Sequence, residues 1–343
     1  MRFAALANRF GRSFRHLIVA MDGRTKCRER LGTGLDVAFC EIDLQPNDTF
    51  GNMRRFGRLL RKTAPDRLIT YNWGSIECAM ANWLVRVPHI HIEDGFGPEE
   101  AKRQLRRRVL TRRVVLSRST VVLPSRTLYR LACDVWKLNP SRLRHVPNGI
   151  DSDRFGMRRA APFPCAGTGP VIGTVAVLRP EKNFLRLLHA FRDVHSKMPC
   201  RLLIAGEGTM RTMLEHSASM LGLDMDVTFA GHVNETERVY AALSVYALSS
   251  DTEQMPVSVL EAMAAGLPVA STDVGDVREM VAEENGPFIT PLDSGALADA
   301  MRKLLSAPEQ AAQIGAANRA AVKERYDQER MFAAYEALFS GSG

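Results

Sequence analysis

Two carboxylates, Glu253 and Glu261, stand eight residues apart in the otherwise mostly apolar run ALSSDTEQMPVSVLEAMAAGLPVAS (247–271). Pro256 lies between them. Its locked φ and missing N–H suit the first position of a helix, and the spacing predicts a helix from Pro256 to about Ala265. The N–H groups near Val257 to Val259 and the positive end of the helix dipole then offer a place for an anion, most naturally a phosphate. Carboxylates pressed against a phosphate would repel it. Glu253 ahead of the helix, and Glu261 one turn beyond Val257 and Ser258, are therefore read as accepting hydrogen bonds from hydroxyls on either side. Ribose hydroxyls, a diphosphate and sugar hydroxyls form the layout of a nucleotide sugar. A plainer account has Glu253 capping the helix and Glu261 in solvent. Against it stands VLRPEKNFLRLLHAF (177–191), where Arg179 and Lys182 follow a strand and can both reach one diphosphate.

The elements that must hold these residues alternate between short apolar runs and helical patterns, the mark of parallel sheets with crossover helices. Strands are predicted at 16–21, 37–42, 67–71, 89–93 and 119–123, then at 171–178, 201–206, 227–231, 245–250 and 268–272. Residues 146–170 are rich in Pro, Gly and charge without periodicity and read as a linker. The expected fold is α/β, with two Rossmann-like doubly wound domains facing across a cleft: residues 1–155, residues 156–325, and a last helix (326–343) crossing back to the first domain. Ligands of such sheets sit beyond the carboxyl ends of the strands. The loops after Leu178, Ala205, Ala230 and Ser250 therefore share one rim.

The 343 residues carry a net charge of +8, unevenly spread. Residues 1–155 hold 29 Lys/Arg against 15 Asp/Glu, and residues 156–343 hold 17 against 23. The densest run, AKRQLRRRVLTRR (101–113), reads as a basic amphipathic helix with Ala101, Leu105 and Val109 as its apolar stripe. It is either a solvated face or a surface for anionic lipid heads and a pyrophosphate-lipid substrate. No aromatic-basic interleaving points to nucleic acid. The six cysteines form no C-x-x-C pair, and no apolar run reaches the ~20 residues of a bilayer span. Reduced thiols and a cytoplasmic location, peripheral on the inner face of the membrane, are expected.

The motifs together resemble the retaining GT-B enzymes of glycosyltransferase family 4, including those of bacterial envelope polysaccharide synthesis. RPEKN (179–183) is similar to the family's Arg-x-x-x-Lys segment, LLIAGEGTMRTMLE (202–215) to its Gly-x-Gly segment, EQMPVSVLEAMAAGLPV (253–269) to its E-x7-E signature, and VPNGID (146–151) to its hinge entry. The resemblance implies that Arg179 and Lys182 bind the donor diphosphate, Glu253 the transferred sugar and Glu261 the ribose diol. It assigns Gly206 and the backbone from Met255 through Pro256, Val257 to Ser258 to the donor, and His232 and Val233 to its base. It further implies retention of configuration without a protein nucleophile, with the departing phosphate helping to deprotonate the acceptor, and no metal or other cofactor. DSD (151–153) and DMD (224–226) read as turns.

HIHIEDGFGPEE (89–100) is similar to the family's Glu-His-Gly segment, with Asp94, between Glu93 and Gly95, where the His usually stands. A carboxylate accepts a hydroxyl and can act as a base, but cannot donate as imidazole does. Asp94 is thus the catalytic candidate on the acceptor side, with Glu93, Gly95, Asn72 and Trp73 beside it. His89 and His91 alternate on one strand face and read as core or cleft lining. Gln254 replaces the family's usual Gly and would narrow the sugar pocket. The family pattern also has a strand and a Gly-rich loop ahead of its first helix. This chain opens inside that helix, at MRFAALANRF, and Gly11 and Gly23 are poor substitutes for the loop. Either further residues precede it or the first sheet is reduced. The expected activity is hexosyl transfer from a nucleotide sugar, UDP-linked, to a glycan or polyprenyl-pyrophosphate-linked glycan. A non-catalytic nucleotide-sugar-binding subunit of a glycan-assembly complex and a GT-B epimerase or hydrolase are the alternatives.

Overall fold

Every strand pairing among the described residues is parallel, as apolar runs joined through helices require. The structure, a computed structural model, describes residues 2–96, 100, 104–155, 161–165 and 168–341. It divides into two units, Met1–Pro147 with Glu329–Gly343, and Asn148–Gln328. The division falls ahead of Phe155, because Asn148 and Ile150 already bond to Met255 and Tyr326 of the second unit.

In the first unit, helix α1 (Arg2–Phe10) precedes a two-stranded sheet of β1 (His16–Ile18) and β2 (Val37–Phe39). Helix α2 (Thr49–Thr63) is capped by Asp48, whose carboxylate accepts from Gly51 N–H at 2.9 Å. A second sheet has the order β3 (Leu68–Tyr71), β4 (His89–Ile92), β5 (Thr120–Leu123), β6 (Leu143–His145). Its crossovers are α3 (Ile76–Val85), α4 (Arg106–Val115) and α5 (Arg126–Asp134). Strand β6 goes unread in the sequence because Arg144 and His145 break its apolar run.

Helix α4 differs from the amphipathic helix expected over 101–113. It begins at Arg106, with Leu105 as its N-cap; residues 101–103, and with them Ala101, lie outside the described residues. Its buried positions are Arg112 and Val115, while Leu110 is 62% exposed beside exposed Arg106, Arg107 and Arg113. The inward face is thus partly basic and the outward face partly apolar.

The second unit contains α6 (Ser152–Phe155) and a six-stranded sheet in the order β12-β11-β10-β7-β8-β9. The strands are β7 (Val171–Val175), β8 (Arg201–Ala205), β9 (Val227–Gly231), β10 (Val245–Leu248), β11 (Val269–Thr272) and β12 (Ile289–Thr290). The helices are α7 (Phe184–His195), α8 (Arg211–Met220), α9 (Thr236–Ala242), α10 (Val257–Ala264), α11 (Val277–Met280), α12 (Ser294–Ser306) and α13 (Pro308–Arg325). Strands β10 and β11 are buried throughout, which is why they read as continuous apolar runs. The chain leaves β7 towards β8 on one side and returns through β10 on the other. That reversal between β7 and β10 is the switch point at which doubly wound sheets bind ligands. Helix α14 (Gln328–Ser340) ends the chain. Its Phe332, Tyr335 and Phe339 pack in one core with Leu6 and Phe10 of α1 and Ile90 and Ile92 of β4. Among the described residues no helix is long and apolar enough to cross a membrane.

Candidate functional site

The second unit carries most of the expected site at its switch point. After β7 the chain turns through Pro180–Lys182, and Asn183, held at φ 43°, caps α7 by accepting from Arg186 N–H at 3.2 Å. After β10 comes the loop with Glu253. The two segments are laced together. Lys182 forms an ion pair with Glu253, whose same oxygen accepts from Ser250 Oγ at 2.8 Å. Ser249 Oγ donates to the Lys182 carbonyl at 2.9 Å, and Asp251 N–H to the Glu181 carbonyl at 2.8 Å. Arg186 reaches from α7 to the Ser249 carbonyl at 2.7 Å and to Asp251 at 2.8 Å. Arg179 is 62% exposed and lies 4.0 Å from Glu181, so its guanidinium stands in solvent at the rim.

Behind this loop the backbones approach closely. A side chain at Gly275 would put its Cβ 2.6 Å from the Glu253 carbonyl oxygen, and Asp276 N–H donates to the Gln254 carbonyl at 2.9 Å. Asn148 Nδ2 donates to the Met255 carbonyl at 2.9 Å. Pro256 stands one residue outside the helix that it was expected to open. Its ψ of 118° is extended, which makes it the N-cap of α10, and its carbonyl accepts from Val259 N–H at 3.1 Å. Val257 and Ser258 therefore form the first helical turn.

Glu261 is held by a neighbour that the sequence pattern hides. The Tyr240 hydroxyl donates to Glu261 Oε2 at 2.7 Å, and the Tyr246 hydroxyl to Ser258 Oγ at 2.8 Å. Burial pushes the Glu261 carboxyl above its ordinary value, a shift opposed by the Tyr240 hydrogen bond. Burial also raises both phenols, so the two tyrosines remain hydrogen-bond donors at neutral pH. Gly206, expected to meet donor, serves the packing: at φ 146° it runs against the Ala176 carbonyl, which any side chain would strike. Its N–H bonds to the Gly231 carbonyl at 2.8 Å. His232 is exposed with its ring on Asn234 at 3.1 Å, and Val233 packs on the core.

The first unit gathers a separate set at the carboxyl ends of β3 and β4. Asn72, at φ 53°, accepts from Asp94 N–H at 2.6 Å through its side chain. Asp94 forms an ion pair with Arg2 of α1. Gly95 follows at φ 152°. Glu93 and Trp73, expected to meet an acceptor, are committed elsewhere. Glu93 is fully buried against Arg112 at 3.3 Å, and Arg112 also holds Glu100 at 3.0 Å. The Arg112 guanidinium lies within an aromatic box of Trp73, Phe96 and Trp136, 4.9 to 5.2 Å from each ring centroid. A carboxylate so paired does not face an incoming sugar. His89 and His91 are joined through the Thr70 hydroxyl at 2.8 and 2.7 Å, and burial pushes His89 down to about 3. Both are interior groups. Among the described residues no cluster of three or more His, Cys, Asp or Glu is arranged to hold a metal.

Known proteins resemble the chain in both sequence and fold. A GDP-mannose-dependent α-(1-6)-phosphatidylinositol monomannoside mannosyltransferase of Mycolicibacterium smegmatis is 30% identical over 198 residues, 52% of this chain and 50% of that one. A D-inositol 3-phosphate glycosyltransferase of Rhodococcus erythropolis is 28% identical over 261 residues, 71% of this chain and 58% of that one. The chain spans about half the length of the curated relatives it matches. Among solved structures, Anabaena HepE in complex with UDP and glucose superposes with a TM-score of 0.78 at 18% identity, covering 99% of this chain and 95% of that one. A glycosyltransferase of Rickettsia africae does so at 0.78 and 15%, covering 96% and 90%. The fold is that of the GT-B glycosyltransferases. Residues 2–154 match the model described as Glycosyltransferase Family 4 and residues 161–321 that of Glycosyl transferases group 1, so that both units of the chain belong to glycosyltransferase family 4.

Proposed function

We propose that the chain transfers a hexose from a nucleotide sugar, UDP-linked, to a glycan or polyprenyl-pyrophosphate-linked glycan of envelope polysaccharide synthesis, with retention of configuration. The observation that carries this reading is the Lys182–Glu253 pair at the switch point, beside the first turn of α10. Arg179 and Lys182 take the diphosphate and neutralise it as it leaves. The N–H groups of Val257 and Ser258 add the partial positive charge of a helix end. Glu253 holds the transferred sugar and Glu261 the ribose diol. The bond from the anomeric carbon to the phosphate oxygen breaks, the acceptor oxygen bonds to that carbon on the same face, and its proton passes to the departing phosphate. No protein nucleophile and no metal enters the scheme. Asp94 orients the acceptor hydroxyl. A UDP complex of the similar HepE supports the choice of nucleotide, while the mannosyltransferase relative makes GDP-mannose the competing donor.

The outer face of α4 supports docking on an anionic bilayer at the cytoplasmic side. Arg106 and Arg113 line a surface hollow of about 420 Å³ with Gln104, Val109, Leu110 and Val135, giving apolar contact inside a basic rim. Calorimetry with UDP, GDP, UDP-glucose and GDP-mannose tests the donor reading, followed by product analysis with lipid-linked acceptors. Tight UDP binding with transfer supports it, and no nucleotide binding at millimolar concentration defeats it. UDP binding without transfer to any acceptor would instead fit a non-catalytic subunit.

A further inference from the structure

Asp94 is acceptor-only as a carboxylate, yet the surroundings that position it include a group that can only donate. Its backbone N–H is fixed by the Asn72 side chain, and Asn72 N–H is itself tied to the Ile92 carbonyl at 2.8 Å. Its carboxylate meets Arg2, whose guanidinium lies 5.8 Å from the centre of the Tyr335 ring. Four elements thus converge on one corner: α1, the ends of β3 and β4, and α14. Asp94 is 36% exposed there and Arg2 only 14%, so the cation is the better anchored partner and the anion the more accessible one. The pair carries no net charge. It offers neither a cation site nor an anion site, but a donor and an acceptor side by side, which is the complement of neighbouring hydroxyls on a polyol.

We propose that Arg2 and Asp94 act as one acceptor-positioning pair, Asp94 accepting from the attacking hydroxyl and Arg2 donating to an oxygen on the adjacent carbon of a polyhydroxylated acceptor. The proposal rests on the transferase reading and extends it to a residue outside the motifs. Arg2 fixes which carbon of the acceptor presents its hydroxyl, and it has no part in holding the donor.

The test compares wild type with Arg2→Gln, Arg2→Lys, Asp94→Asn and the Arg2→Gln/Asp94→Asn double variant, using the nucleotide sugar that calorimetry selects. Methyl α-D-glucoside and methyl α-D-mannoside serve as polyol acceptors and 1-propanol as an acceptor without a neighbouring hydroxyl. Arg2→Gln should raise the KM for the methyl hexosides about tenfold, the effect of losing a charge-assisted hydrogen bond. It should leave nucleotide affinity unchanged and lower transfer to 1-propanol far less than transfer to the methyl hexosides, and Arg2→Lys should recover part of the loss. In the Asp94→Asn background the added cost of Arg2→Gln should shrink, because the pair acts as a unit. Thermal melts check that each variant folds; if Arg2→Gln does not, the Lys variant with its shorter reach decides. Loss of transfer in Asp94→Asn with an unchanged acceptor KM in Arg2→Gln overturns the pair and leaves the transferase reading standing. A wild-type chain that transfers neither to these acceptors nor to lipid-linked glycans removes that reading, and the inference with it.

Discussion

Lys182 and Glu253 form an ion pair between the turn after β7 and the loop after β10, the two segments that flank the switch point of the second sheet. In the proposed reading, a diphosphate entering there competes with Glu253 for the ammonium, and the carboxylate released is then available to sugar hydroxyls. Lys182→Ala should therefore weaken UDP affinity roughly 10- to 100-fold, equivalent to about 1.5–3 kcal/mol for a hydrogen bond to a charged group. Glu253→Gln should hold UDP nearly as well as wild type and lose sugar transfer. Calorimetry with UDP beside a transfer assay separates the two. Equal loss of UDP affinity in both variants would contradict the division of roles.

Glu261 gives the proposed donor site a pH dependence of predictable sign. Burial raises its carboxyl above the ordinary value, so the folded chain binds that proton more tightly than the unfolded chain does. The group favours folding at acid pH, and its contribution is lost as pH rises through the unfolded value and then the folded one. Glu261→Gln removes that cost, and its melting temperature at neutral pH should not fall. Under the proposed role of Glu261, nucleotide binding responds in the opposite direction, because only the carboxylate would accept from both ribose hydroxyls. UDP affinity should drop as pH falls through the raised value, and in Glu261→Gln it should be weak and flat with pH. Calorimetry over the same pH range in both proteins distinguishes these curves.

Arg112 is a structural cation in a helix whose composition suggests a solvated or lipid-facing role. It is buried with Glu93 and Glu100 inside three aromatic rings. Removing one partner from a buried network leaves the others uncompensated, so Arg112→Ala should cost about 3–5 kcal/mol in urea denaturation. Arg113→Ala, one position away and exposed, should cost almost nothing. If Arg112→Ala melts like wild type, the network carries no stability.

The same residue marks where sequence reading stops. Parallel strands, the two-unit plan and the Lys182–Glu253 rim are legible because each rests on local pattern: apolar runs, crossover helices, and charged residues just after strand ends. Arg112 is not legible, because six of the eleven residues from Lys102 to Arg112 read alike as surface cations, and only the tertiary partners single one out. Tyr240, which holds Glu261, looks like any aromatic on a buried helix face. Arg2 and Asp94 lie 92 positions apart, and no spacing rule connects them. Contacts between distant elements decide all three.

Gly275 offers the most local test of how the donor loop is held. Its φ of 57° lies in the left-handed region, and its Cα faces the carbonyls of Glu253 and Gln254. Alanine there incurs about 1–2 kcal/mol of backbone strain and in addition places a methyl group 2.6 Å from the Glu253 carbonyl oxygen. The strands beneath are buried and stiff, so the loop of Glu253 to Pro256 must give way. That displacement moves Glu253 off Lys182 and shifts the first turn of α10 together with it. Gly275→Ala should therefore lower UDP affinity and sugar transfer in parallel, unlike Glu253→Gln, which spares the first. Gly222→Ala is the control: it lies at φ 71° with nothing within 4 Å of the added carbon, so it carries the strain without the collision. If both glycine variants bind UDP like wild type, the packing of Gly275 on the loop does not hold the donor site in place.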